Sequence, residues 1–418
     1  MKVLVIGRGG REHSLCEKIK SSHLVSKVFV APGNPGMANV AEQVAINEGD
    51  HEQLVSFAHG QKISLVFIGP EQPLVEGLTD RFSEAGIKVF APSQKAAEIE
   101  GSKTYAKELM IKYGIPTADY KVFREFAEAK AYLDQCQIPI VIKADGLAAG
   151  KGVVVAETRA EAEEALREML LDEKFGSASS KVIIEEFLDG EEFSFMALVH
   201  GDLVIPLDVA QDHKRAFDGD AGPNTGGMGS YSPVPQISKD VLDTAIETIL
   251  RPTAEALLKE GRSFTGILYA GLILTSGGPK VIEFNARFGD PETQVLLPRL
   301  KSDLVDVVVR LMQGGPVELS WSNQAMLGVV VAREGYPEES REGVQLDLPN
   351  DLGDLHLYYS GVISDAEGNF TSSGGRIFLL AALGDDLEEA QNKVYDCLNT
   401  LKLPGLFHRN DIGFRAIK

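Results

Sequence analysis

Glu283, Asn285 and Arg287 are two residues apart in the run Lys280-Val281-Ile282-Glu283-Phe284-Asn285-Ala286-Arg287, where polar and apolar residues alternate as in a strand. Strand side chains alternate faces, so the three share one face, with about 7 Å between successive members. A carboxylate and a carboxamide are oxygen donors suited to a hard cation such as Mg²⁺, which keeps several waters and takes its other ligands from phosphates. The guanidinium suits developing phosphoryl charge. The same alternation also describes an ordinary half-buried strand, so the triplet gains meaning only from its neighbours.

Lys143 is one such neighbour. It ends a buried strand and leads into Ala144-Asp145-Gly146-Leu147-Ala148-Ala149-Gly150-Lys151-Gly152 and a returning strand. Small residues there let backbone amides approach a polyphosphate, with Lys143 as a point charge. The pattern is not a Walker loop, because the lysine precedes the glycines. Next, Glu185-Glu186-Phe187-Leu188-Asp189-Gly190-Glu191-Glu192 reads as a linker offering free backbone groups to an adenine edge, with Glu192 accepting from ribose hydroxyls. Taken alone it reads as well as a solvated acidic surface. The glycine-rich stretch from Gln211 to Tyr231, expected as a long loop, carries Asp212, His213, Lys214 and Arg215, a set suited to an anionic substrate. Near the start, Gly9 and Gly10 open a helix whose amides suit a sugar phosphate, and Glu71 is placed to reach ribose hydroxyls. His13 reads as structural. Gly374-Gly375-Arg376 fits a closing segment and a plain turn equally.

The elements that must hold these groups form several modules. A chain of 418 residues with 44% hydrophobic content exceeds one typical core and predicts folded domains. The formal charge of -20 opposes nonspecific adhesion to nucleic acid or membrane, so anionic ligands require a local basic pocket. Cys16, Cys136 and Cys397, odd in number and widely spaced, predict reduced and mostly buried thiols. The opening Met1-Lys2-Val3-Leu4-Val5-Ile6-Gly7 reads as a strand and not as a signal peptide, and with no long apolar run following, a cytoplasmic protein is expected.

Residues 1–101 alternate strands (Val3 to Ile6, Val28 to Val30, Leu65 to Ile68, Ile87 to Phe90) with helical patterns such as Leu74 to Ala85, predicting an α/β doubly wound parallel sheet. Residues 120–187 predict a small α/β lobe. Residues 102–119 and 188–324 predict a larger lobe, with a helix near 240–260. The tail, 325–418, has fresh strand patterns and predicts a separate, β-rich closing domain. The expected whole is α/β and α+β.

These segments resemble the ATP-grasp superfamily. Within it, Gly7-Arg8-Gly9-Gly10-Arg11-Glu12-His13, Gly69-Pro70-Glu71-Gln72-Pro73-Leu74, Lys143 through Gly152, Asp212-His213-Lys214-Arg215 and Glu283 through Glu292 resemble the glycinamide ribonucleotide synthetase family over the whole chain. The resemblance implies a two-lobed nucleotide clasp and a monomeric enzyme using ATP with Mg²⁺, or Mn²⁺ in its place. It implies the joining of glycine to 5-phosphoribosylamine through glycyl phosphate in purine synthesis. By motif it implies Lys103 and Lys143 at the phosphates, Glu186 and Leu188 at adenine, Glu192 at ribose, Glu283 and Asn285 on the metal, and Arg287 beside the acyl phosphate. Many ATP-grasp enzymes carry a further acidic ligand where this chain has Tyr269-Ala270-Gly271-Leu272, so the number of metal ions stays open. A purine-pathway carboxylase or transformylase is the nearest alternative. A nicotinamide-dependent oxidoreductase fits less well, since Glu12 stands where a dinucleotide fingerprint wants its third glycine.

Overall fold

In the N-terminal part, strands β1 (Lys2–Gly7), β2 (Lys27–Pro32), β3 (Glu42–Gln43), β4 (Leu65–Ile68) and β5 (Val89–Phe90) form a parallel sheet ordered β3-β2-β1-β4-β5. Val3, Leu4, Val5 and Ile6 are all buried, as expected of a central strand covered by helices on both faces. The chain leaves β1 toward β2 on one side and later returns to β4 on the other, so a crevice opens at the strand ends where the order reverses. Helix α1 (Gly10–Lys20) starts in that crevice and drives the buried Glu12 side chain beneath Gly69. The helix expected over Leu74 to Ala85 is two, Glu71–Val75 and Leu78–Glu84, because Gly77 between them takes φ +85°. The computed structural model describes residues 1–147, 152–172, 174, 176, 180–338, 343–349 and 352–417; residues 148–151 of the expected glycine lid lie outside these.

The small lobe is an antiparallel sheet of β6 (Tyr120–Phe123), β7 (Ile140–Ala144), β8 (Val153–Ala156) and β9 (Val182–Glu186), ordered β6-β9-β7-β8. Helices Phe126–Leu133 and Arg159–Leu170 pack on it, with Leu133, Ile142, Leu166 and Ile184 in a core of its own. A capping box starts the second helix: Thr158 Oγ1 accepts from the Glu161 amide at 3.2 Å while the Glu161 carboxylate accepts from the Thr158 amide at 3.3 Å.

The main sheet is built on β10 (Glu191–His200) and β11 (Leu203–Asp212). The stretch expected as one long loop instead contains the hairpin strands β12 (Arg215–Phe217) and β13 (Ala221–Asn224), followed by β14 (Gly229–Ser232). Strands β15 (Thr265–Thr275) and β16 (Gly278–Asn285) complete one side. The tail adds β17 (Ala325–Arg333), the small sheet strands β18 (Gln345–Leu346), β20 (Val362–Ser364) and β21 (Phe370–Ser372), then β19 (His356–Tyr359), β22 (Arg376–Gly384) and β23 (Leu406–Phe407). Because β14 pairs with β11 on one edge and β17 on the other, the order runs β16-β15-β10-β11-β14-β17-β22-β19 without a break. The tail is therefore not separate at the level of the sheet. The fully buried Arg409 ties it further to the β12–β13 hairpin, with Nη1 2.9 Å from Asp220 Oδ1 and donating to the Arg215 carbonyl at 3.1 Å.

The helix expected near 240–260 runs through Lys239–Ala245, a π-helical turn Ile246–Leu250 and Arg251–Lys259. All three cysteines are free; Cys16 is buried, whereas Cys136 and Cys397 are only half-buried. Among the described residues no helix is long and apolar enough to cross a membrane.

A Cβ added at Gly69 would lie 1.8 Å from Glu12 Oε1, and the buried Glu12 side chain is held by the Gly9 amide and by Arg11. Gly69→Ala is expected to cost about 1–3 kcal/mol, as overpacking does, and to lower the thermal unfolding midpoint. A midpoint equal to wild type would show that Glu12 can move aside.

Candidate active site

Arg287 stands just beyond β16, on the same face as Glu283 and Asn285, while Phe284, Ala286 and Phe288 point into the core. Its Nη2 lies 3.1 Å from Glu100 Oε1 and donates to Asn285 Oδ1 at 3.1 Å; its Nε lies 3.4 Å from Glu71 Oε2. Burial opposes the guanidinium charge, and Glu100 and Glu71 more than restore it, so its pKa is raised. For Glu71 burial alone would raise the pKa, yet Arg287 and Arg11 bring it below the usual range. Glu100 goes the other way: burial raises it, Glu71 adds repulsion, and Arg287 only partly compensates. Its carboxylate also accepts from the Ala286 amide at 2.7 Å, which fixes the turn out of the strand.

A register shift between Gly271 and Leu272 on the partner strand leaves Ile282 unpaired. Its carbonyl accepts from Lys143 Nζ at 3.0 Å, reaching across from β7 of the small lobe. Lys143 also lies 3.0 Å from Glu185 Oε2, as does Lys107 from the helix Lys103–Tyr113. Lys103, at the start of that helix, donates to the Gly146 carbonyl at 3.0 Å. Burial lowers its pKa while the nearby Glu283 raises it. Two lysines and the oxygen pair Glu283 and Asn285 thus converge where the lobes meet.

Opposite these, Lys214 Nζ lies 2.7 Å from Glu192 Oε2 and 3.9 Å from Asp212 Oδ1. Lys214 depresses the Glu192 pKa. Burial raises Asp212 to about 7, with Glu292 and Glu192 adding repulsion against the pull of Lys214. Burial works against the charge of Lys214 as well, but Asp212, Glu192 and Glu283 hold it protonated. Glu186, at the end of β9, pairs its carboxylate with Lys280 at 3.2 Å. Its amide donates to Asp119 O at 2.9 Å, whereas the Leu188 amide has no partner among the described residues. Phe187 beside it is exposed.

Some expected groups are not brought to this cleft. His213 is fully buried; its Nε2 accepts from the Gly413 amide at 3.2 Å and its ring packs against Tyr231 and Phe414. Alternation explains this, since Asp212 and Lys214 point one way and His213 the other. Arg215 closes its own hairpin by donating to Gly222 O at 2.7 Å. The Gly9 amide donates to Glu12 Oε2 at 2.6 Å and the Gly10 amide to Ser360 Oγ at 3.0 Å, so both expected anion donors are engaged within the chain. His13 accepts from the Tyr359 amide at 3.0 Å, the structural role expected of it.

Other residues went unforeseen. Glu100 has no motif around it, and a lone carboxylate near the end of a helix reads as solvated. Arg11 donates to Phe288 O at 3.2 Å and so joins the first helix to the Arg287 turn. Glu292 is buried, with Ser194 Oγ donating to it at 3.0 Å and Tyr269 Oη bonded to the same oxygen. Arg376 fixes the tail to the site through Asp290 Oδ2 at 3.1 Å and Gly226 O at 2.8 Å, which favours the closing segment over the plain turn. The polar character of Glu292 in a helix of otherwise buried residues, Glu292–Leu296, was the available signal.

Family models place these features. The phosphoribosylglycinamide synthetase N domain matches residues 1–100, the ATP-grasp (A) domain residues 101–293, and the C domain residues 326–415. A phosphoribosylamine–glycine ligase of Halalkalibacterium halodurans is 58% identical over all of this chain and 97% of its own. That of Listeria innocua is 54% identical over the full length of both. The crystal structure of the Thermotoga maritima phosphoribosylamine–glycine ligase covers 99% of this chain and 100% of its own at 33% identity, with a TM-score of 0.88. The biotin carboxylase domain of Hydrogenobacter thermophilus 2-oxoglutarate carboxylase shares the fold, with a TM-score of 0.74 at 18% identity over 97% of this chain and 91% of its own. A nucleotide clasp between two lobes, with lysines facing an oxygen pair, defines an ATP-grasp enzyme that joins carbon to nitrogen at the expense of ATP. The chain belongs to the phosphoribosylglycinamide synthetase family.

Burial lowers the His13 pKa to about 4, and burial with Arg409 and Arg415 lowers that of His213 to about 3. An unfolded imidazole titrates near 6.5, so between these values the unfolded chain binds more protons and stability falls as pH falls. Each ring is expected to remove roughly 1.4 kcal/mol per pH unit below about pH 6. Comparing denaturation of wild type and His213→Gln at pH 7 and pH 5.5 checks this, with a smaller pH effect expected in the variant. An identical pH effect would assign the loss to other groups.

Proposed function

We propose that the chain condenses glycine with 5-phosphoribosylamine, consuming ATP and giving glycinamide ribonucleotide, ADP and phosphate, with glycyl phosphate as the intermediate. The relatives named above carry this ligase activity in their names, and the observation that carries the site assignment is the single face of Glu283, Asn285 and Arg287 set against Lys103 and Lys143. In this reading residues 1–101 hold the phosphoribosylamine, 102–119 with 188–324 form the large lobe, 120–187 the lid lobe, and 325–418 close the cleft.

Glu283 and Asn285 suit Mg²⁺, with Mn²⁺ a chemically similar alternative. The strand opposite supplies Tyr269 against Asn285 and Gly271 against Glu283, with no further acid. Among the described residues no group of three or more His, Cys, Asp or Glu side chains sits at metal-binding spacing. This donor set fits an ion that completes its shell with water and phosphate oxygens. Such an ion would neutralise phosphate charge during transfer.

The remaining work is positioning and charge stabilisation. Glu186 and Leu188 present backbone to adenine, Glu192 accepts from ribose, and Lys103 and Lys143 face the phosphates. Arg287, anchored by Glu71 and Glu100, offers its fork to the acyl phosphate. Asp212 at the end of β11 and Lys214 just beyond it meet the substrates, with Glu71 at the ribose of phosphoribosylamine. Glycine carboxylate attacks the γ-phosphate and ADP leaves; the amine of phosphoribosylamine then attacks the acyl carbon and phosphate leaves. No protein nucleophile is needed.

Glu283→Gln removes one anionic ligand, and activity is expected to fall by at least roughly a hundredfold, with a higher Mg²⁺ requirement. Product formation across a Mg²⁺ titration measures both, and an unchanged metal dependence would remove Glu283 from the metal. The intermediate has its own test. With glycine labelled by oxygen-18 in the carboxylate, one label per turnover is expected in the released phosphate by mass spectrometry, and unlabelled phosphate would exclude glycyl phosphate.

A further inference from the structure

Lys107 points from the helix Lys103–Tyr113 into a closed pocket shared with Glu185 and Lys143, where each side chain is 3% exposed. One carboxylate oxygen, Glu185 Oε2, lies 3.0 Å from both ammonium groups. The other, Oε1, is buried with no hydrogen-bond partner among the described residues. Lys107 is also held by Thr117 Oγ1 at 2.8 Å and Ala118 O at 3.4 Å, both in the segment joining its helix to the small lobe. Lys143 has its other described contact across the cleft, on Ile282 O.

We propose that Lys107 is a positioning residue: it keeps Glu185 neutralised while Lys143 leaves that carboxylate for the phosphates of the nucleotide. The inference rests on the reading of Lys143 as phosphate-facing. Were Lys143 the sole partner of Glu185, its departure would strand a buried carboxylate, and the strong penalty for an unpaired buried charge would oppose nucleotide binding. With Lys107 fixed by three groups, the carboxylate stays paired and the movement of Lys143 costs little. The second cation also weakens the hold of Glu185 on Lys143, because one charge is shared between two.

The groups facing Lys107 are Glu185 and Glu186 from β9, Lys143 from β7 and the ring of Tyr120 from β6, whose centroid is 5.7 Å away. Burial lowers the Lys107 pKa to about 8, helped by Lys143 and resisted by Glu185. Raising the pH through that value discharges Lys107 and leaves Lys143 as the only ion-pair partner of Glu185 among the described residues. Nucleotide affinity then falls.

The test is titration of Mg²⁺ with a non-hydrolysable ATP analogue into wild type, Lys107→Met, Glu185→Gln and the double variant, followed by calorimetry. Lys107→Met is expected to weaken binding by roughly tenfold or more, and the double variant to recover to the affinity of Glu185→Gln alone, because the stranded charge is gone. Wild-type binding is expected to weaken above about pH 8, and this step to vanish in the double variant. Wild-type affinity in Lys107→Met, or a double variant as weak as Lys107→Met, overturns the proposal. Should Lys107→Met fail to fold, Lys107→Gln is titrated in its place, alone and with Glu185→Gln, and wild-type affinity in that variant overturns the proposal. Lys143→Met serves as the control: if it binds the analogue like wild type, the phosphate role of Lys143 fails, an outcome distinct from failure at Lys107.

Discussion

A nearly buried guanidinium organises this protein. The Arg287 side chain is only 17% exposed, and a charge so placed is tolerable only with counter-charges held close. Glu71 follows β4 of the N-terminal sheet, Glu100 comes from the helix Gln94–Gly101, and Asn285 from β16. Their convergence fixes three segments relative to one another before any substrate arrives. Arg11, bonded to the carbonyl of Phe288, adds α1 to the same junction. Pairing also limits what Arg287 can do. Its charge is anchored by Glu71 and Glu100, so the position of the guanidinium is set by the fold rather than by a ligand.

The lysines obey a related rule from the other lobe. Lys103 and Lys143 come from a helix and a strand on either side of the hinge, and both are held by backbone carbonyls or a buried carboxylate in the free protein. Such contacts keep the two like charges apart and spare the cleft an unscreened positive field. They are also contacts that a polyphosphate can replace with stronger, charge-assisted ones. The core of the small lobe is independent of the rest, with Ile142, Leu166 and Ile184 packed only among its own elements. That independence allows it to move as a body while carrying Lys143 with it.

Much of this was legible in the sequence because it follows from periodicity. Two-residue spacing placed Glu283, Asn285 and Arg287 on one face, and the apolar runs with glycine-rich ends gave the parallel sheet and its crevice. The same rule, applied to Asp212, His213 and Lys214, would have separated the histidine from its neighbours; reading them as one basic cluster missed that the chain between β11 and β12 turns His213 into the core. Gly9 and Gly10 are a different case. A helix start offers amides; Glu12, three residues on, caps the first, while nothing local shows that Ser360, 350 residues away, meets the second. Glu100 and Lys107 were invisible because their importance lies in partners distant in sequence. A charge inside an amphipathic helix looks solvated until the opposing element is known.

The unbroken sheet has a consequence for the integrity of the molecule. β14 is only four residues long, yet its backbone is paired on both sides, to β11 and to β17. The tail thus acts as a stopper on what would otherwise be an open strand edge in the middle of the catalytic half. Cutting the chain between the helix Leu304–Leu311 and β17 and losing the tail would bare the amides and carbonyls along Gly229–Ser232 beside buried apolar surface. An exposed edge of that kind recruits other strands. Solubility, as much as the ion pairs of Arg376 and Arg409, therefore ties the last quarter of the chain to the rest.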